Sequence, residues 1–66
     1  MEITVTQFDL VPHYKIIEGR RYILATLCET QGESRAEKGH FRAMGNLARQ
    51  TKVVCGPDIR WAVYIW

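Results

Sequence analysis

Arg35, Lys38, Arg42 and Arg49 follow one another at intervals of three, four and seven residues. At those intervals side chains on an α-helix return to one line. At about 100° per residue they fall within an arc of roughly 60°, with Asn46 beside them and Gly39 and Gly45 on the flanks. Like charges on one ridge repel each other, and no Asp or Glu interrupts this one. The chemistry open to such a ridge is neutralisation of anions, either the phosphates of a nucleic acid or an acidic patch on a nucleoprotein complex. The competing reading is a solvated outer face on which the glycines are merely tolerated.

A second cationic set, Arg20 and Arg21, stands at a hairpin turn with Lys15 in the paired strand. Whether it joins the helix ridge depends on the fold. Arg60, Tyr64 and Trp66 share one strand face, which suits base stacking beside a guanidinium or a protein interface. Against that stands a reading in which Trp61 is core and Tyr64 and Trp66 cap the sheet edge. The far sheet face is then half covered or hidden in a homodimer.

Other chemistry has less to stand on. His13, Cys28, His40 and Cys55 are metal-ligand types, but none forms the close C-x-x-C or H-x-x-x-H pair that builds a zinc site, so no metal is expected. Cys28 lies in the apolar run ILATLCE, the wrong setting for a nucleophilic thiolate. Asp9 and Asp58 read as turn formers. No cofactor motif or small-molecule substrate site is legible, and no catalytic residue is assigned. One enzymatic alternative stays open: a cofactor-free ribonuclease with His13 and His40 as acid and base and Arg42 on the phosphate, although no pattern brings the histidines together.

The elements that must position these residues follow from polarity and punctuation. EITVTQF, residues 2–8, alternates as a half-buried strand, and Pro12 ends that region. Residues 13–29 read as two antiparallel strands about Glu18-Gly19, the second nearly all apolar from Tyr22 to Cys28 and therefore central. TQGE is expected to form a loop. Ser34-Arg35-Ala36-Glu37 fits the capping box, so a helix is expected over 35–50 with Ala36, His40, Ala43, Met44 and Leu47 on the sheet and Phe41 and Ala48 at the edge of that arc. TKVVC and IRWAVYIW, on either side of Gly56-Pro57-Asp58, make a second hairpin. The order is β-β-β-α-β-β: an α+β domain over residues 1–66, with one helix packed on one face of a mostly antiparallel sheet.

Sixty-six residues leave little chain for an enclosed catalytic cleft. A composition 47% hydrophobic and 24% charged is that of an ordered globular domain, and the net charge of +2 permits an acidic partner without demanding one. No apolar run is long enough to span a bilayer and the first residues lack the order of a signal peptide, so the reading is cytoplasmic, without a membrane partner. Cys28 and Cys55 are expected to be small core hydrophobes, with a disulfide between neighbouring strands as the alternative. The profile is similar in kind to small phage-encoded proteins that block host machinery, including anti-CRISPR-like inhibitors of defence complexes. That likeness is one of size and of missing cofactor motifs, with no residue motif behind it. The expectation is thus a non-enzymatic binder of an acidic partner through its basic helix, with a protein inhibitor acting by protein–protein contact as the alternative.

Overall fold

In a computed structural model that describes residues 2–66, β1 (Glu2–Thr4) is followed by a single 3-10 turn (Phe8–Leu10). The hairpin β2 (Tyr14–Ile17) and β3 (Arg20–Cys28), the helix α1 (Gln31–Ala43) and the hairpin β4 (Ala48–Cys55) and β5 (Asp58–Ile65) come next. The sheet order is β1-β4-β5-β3-β2, parallel only between β1 and β4. The expected order and mostly antiparallel sheet are therefore present. Turn chemistry explains both hairpins. Glu18 and Gly19 both have positive φ, 52° and 78°, as a two-residue loop matching the right-handed strand twist requires. Gly56 (φ 59°) precedes Pro57 in the other two-residue loop.

The helix begins and ends earlier than 35–50. Its N-cap is Thr30, whose hydroxyl oxygen accepts from the Glu33 amide at 3.1 Å and lies 3.2 Å from the Glu33 carboxylate. The cap in use is thus Thr30, within Thr30-Gln31-Gly32-Glu33, the stretch expected to be a loop, and the Glu33 carboxylate meets the Thr30 hydroxyl. Ser34 is instead fully buried inside the helix, its hydroxyl donating to the Gln31 carbonyl at 2.8 Å. At the other end Gly45 takes φ 95°. Its amide donates to the Arg42 carbonyl and that of Asn46 to the Phe41 carbonyl, both at 3.0 Å, the Schellman closure that only a residue at ease with positive φ completes. Asn46 and Arg49 are therefore outside the helix, and Arg49 lies in β4.

The expected packing arc is also corrected. Ala36, His40, Ala43, Met44 and Leu47 are exposed, Met44 at 65%. The helix residues withdrawn from solvent are Ser34, Lys38 and Phe41, spaced four and three apart. This stripe is mostly polar, so apolar periodicity points to the wrong side of the helix.

Cross-strand partners point to the same face of a sheet, and the registers sort the core in two. Ala48, Ile65 and Ile23 share one face with Gln50, Val63 and Thr26, and with Lys52, Trp61 and Cys28. Helix α1 lies on this face, where Cys28, Ala48 and Val63 are buried. Tyr22, Leu24, Tyr64, Ala62 and Val53 occupy the other face. That face is not open: the segment between β1 and β2 crosses it, Val11 is buried against Tyr22, Val53, Ala62 and Tyr64, and Val5 and Phe8 pack alongside. The Tyr64 hydroxyl fastens the segment by donating to the Pro12 carbonyl at 2.8 Å. Residues 5–8, expected to continue the first strand, instead turn over the sheet as its second cover. Cys28 and Cys55 are both free and stand on opposite faces, which removes the disulfide alternative. Among the described residues, no helix is long and apolar enough to cross a membrane.

Candidate functional site

Because α1 lies on Ser34, Lys38 and Phe41, its cationic line borders the sheet instead of facing away from it. Arg35, Lys38 and Arg42 open into a cavity of about 420 Å³ between helix and sheet, whose other walls are Gln31, Ala48, Arg49, Gln50 and Trp61. A second cavity of about 320 Å³ adjoins it, lined by Arg20, Tyr22, Arg42, Leu47, Ala48 and Arg49. The two share Arg42, Ala48 and Arg49. The cations therefore form one track, Arg35, Lys38, Arg42, Arg49 and Arg20, bending round the corner where β4 begins. Among the described residues, no carboxylate lines either cavity.

Local structure explains why that corner is open. β1 pairs only with Lys52–Val54, so Ala48–Thr51 of β4 have a strand neighbour on the β5 side alone among the described residues. Arg42 covers part of this edge by donating from its guanidinium to the Ala48 carbonyl at 3.0 Å. Among the described residues, Arg49 is the one cation of the track in an ion pair, 3.2 Å from the Glu18 carboxylate in the β2–β3 turn. The Tyr22 hydroxyl, and after it Glu18, raise the affinity of Arg49 for its proton still further. Arg35, Lys38 and Arg42 have no acidic partner within ion-pair distance among the described residues.

The other anticipated residues divide. Arg20 joins the track, but Arg21 lies on the opposite face of β3, its guanidinium 4.3 Å above the Tyr14 ring. Lys15 stands 5.6 Å over the Tyr64 ring, and its pKa is lowered by burial. Arg60, Tyr64 and Trp66 do share a strand face, yet they form no stacking platform. Tyr64 is completely buried and Arg60 is spent on the Phe8 ring at 4.8 Å. Trp66 is 56% exposed, but Arg20 already stacks on it at 4.8 Å. Asn46 gives its backbone amide to the helix C-cap and lines neither cavity. Sequence reasoning missed Gln31, Gln50 and Trp61 in the larger cavity. The signal for Trp61 lay in the alternation of β5, which puts it on the helix side, although nothing in that alternation shows it half-exposed beside cations.

His13 and His40 line neither cavity; both are exposed, and His40 packs edge-on against Phe41. Among the described residues no group of three or more His, Cys, Asp or Glu side chains is placed to hold a metal ion. No protein family's model matches the chain, no curated protein does, and no solved structure does either.

Proposed function

We propose that this chain is a non-enzymatic binding protein whose cationic track takes the phosphate backbone of a nucleic acid. The observation that carries the reading is convergence: Arg35, Lys38, Arg42, Arg49 and Arg20 line two joined cavities that contain no carboxylate. Charges held at such spacing cost stability through mutual repulsion, and a polyanion offsets that cost by releasing its own counterions on binding. The test is a salt-titrated affinity measurement on DNA and RNA. Log K is expected to fall linearly with log salt, by about 0.9 per phosphate contacted on a duplex and about 0.7 on a single strand. Lys38→Ala is expected to reduce that slope by about 1 and to weaken binding of all sequences alike. Absence of binding to either nucleic acid at low salt defeats the proposal.

A second reading has one observation in its favour. Tyr14, Ile16 and Ile23 share the helix-side face beyond the reach of α1, and all are more than half exposed, with Arg21 beside them. An exposed apolar cluster bordered by a cation suits a protein surface, as an inhibitor docking on a nucleic-acid-handling complex requires. That reading expects weak binding to naked nucleic acid and loss of complex formation on Ile16→Asp with the track intact.

A further inference from the structure

We infer that the larger cavity seats a terminal phosphate monoester, so that the protein favours nucleic-acid ends that carry a phosphate. This rests on the nucleic-acid reading and specifies it. Apart from Ala48 and Trp61, the walls of this cavity are polar: guanidinium and ammonium groups together with the side-chain amides of Gln31 and Gln50. Such a lining offers hydrogen-bond donors to phosphoryl oxygens and little surface to anything apolar. Arg42 is fixed at the wall by donating one N–H to the Ala48 carbonyl at 3.0 Å. The remaining N–H groups of its planar fork are left for an anion.

Charge separates the end of a nucleic acid from its interior. Arg35, Lys38 and Arg42 converge on this one cavity, and none has an acidic partner within ion-pair distance among the described residues. An internal phosphodiester brings a single negative charge, whereas a terminal monoester carries about −1.5 to −2 at neutral pH. The track is also bounded at one end. Through Arg42, Ala48 and Arg49 it continues into the smaller cavity and on to Arg20. In the other direction the next row of the sheet on the helix side is Lys52 with Trp61 and Cys28, and the residue in register with Lys52 on its far side is Glu2, which is exposed. Glu33 stands at the same end, in the first turn of α1, where its charge acts on the Cys28 thiol. A polyanion continuing that way meets two carboxylates, and one that ends in the cavity does not.

The experiment measures the affinity of the full chain, at one ionic strength, for one oligonucleotide sequence in three forms: hydroxyl at both ends, 5′-phosphate and 3′-phosphate. The expected result is that a phosphorylated form binds about ten-fold more tightly than the hydroxyl form, the worth of one further charge-assisted contact. Which form gains identifies the end that enters. The gain should shrink as pH falls through about 6, where the monoester loses its second charge. Arg35→Ala, in the larger cavity alone, should remove most of the gain, whereas Arg20→Ala, in the smaller cavity alone, should weaken all three forms alike. Inorganic phosphate at matched ionic strength should erase the gain; if it binds while neither phosphorylated end gains, the site serves a free anion and the inference is overturned. Equal affinity for the three forms overturns it as well and leaves the nucleic-acid reading standing. Failure of every form to bind at low salt overturns both.

Discussion

The guanidinium of Arg42 reaches from the last turn of α1 to the carbonyl oxygen of Ala48, the first residue of β4, at 3.0 Å. One side chain thus joins helix to sheet and forms part of both cavities. Arg42→Ala is expected to lower stability by about 1 kcal/mol, the usual net worth of a part-buried hydrogen bond, and to weaken nucleic-acid binding as well. Arg42→Lys keeps the charge without the planar fork, so it should restore most of the salt slope but little of the stability. Urea midpoints and salt-titrated affinities on the same samples separate the two effects.

Glu18 is the carboxylate that restrains the track, through its 3.2 Å contact with Arg49, and it sits at φ 52°, a conformation Asn tolerates better than Glu. Glu18→Asn should therefore raise affinity for nucleic acid several-fold at low salt while leaving the urea midpoint unchanged or higher. The ion pair lost in the exchange is exposed to solvent and screened, so it contributes little to stability. A fall in affinity would count against the track as the binding surface.

Gly45 and Gly39 both flank the cationic line in sequence, and the structure gives them different work. A Cβ at either position meets nothing within 4 Å, so only backbone conformation distinguishes them. Gly45→Ala at φ 95° should cost on the order of 1–3 kcal/mol by straining the helix C-cap. Gly39→Ala inside α1 should stabilise by about 0.5–1 kcal/mol and leave affinity unchanged. Thermal melts of the two variants should move in opposite directions.

The hairpins were legible because their punctuation is local: Glu18-Gly19 and Gly56-Pro57 each fix a two-residue turn whatever surrounds them. The helix boundaries were not, because Thr30-x-x-Glu33 and Ser34-x-x-Glu37 satisfy the same capping pattern one turn apart. Propensity does not say that Ser34 serves better as a small buried residue than as a cap. The identities of Arg35, Lys38 and Arg42 as a cationic line were legible, but their direction was not. The side of α1 that lies on the sheet is Ser34, Lys38 and Phe41, and a contact made mostly of polar side chains leaves no apolar period to read. Trp61 enters the site only through tertiary packing, which brings α1 over β5.

The Tyr64 hydroxyl holds the segment from Val5 to Pro12 over the second face of the sheet through its 2.8 Å bond to the Pro12 carbonyl. Tyr64→Phe preserves the ring and leaves that carbonyl without its donor, so stability should fall by about 1–2 kcal/mol. Hydrogen exchange offers a sharper reading than the global midpoint: the Val11 and Leu24 amides, donors to the Phe8 and His13 carbonyls, should exchange faster, while those of α1 should be little affected.

Burial raises the pKa of the Cys28 thiol; a hydrogen bond with Thr26 lowers it, and Glu33 and Glu37 of the covering helix raise it again, with a net upward shift. Burial likewise raises the Tyr64 phenol. In the unfolded chain these groups ionise near 9.0 and 10.0, earlier than in the fold. Their contribution to stability is therefore complete below pH 9.0 and is lost as pH rises through the folded-state values. Lys15 acts oppositely: burial lowers its pKa from 10.5, so its penalty on folding fades as pH rises towards that value. Alkaline destabilisation should thus begin with Cys28. Cys28→Ala, though less stable at neutral pH from lost packing, should show a flatter decline of the urea midpoint between about pH 8.5 and 10. A decline as steep as that of the unaltered chain would place the alkaline transition elsewhere.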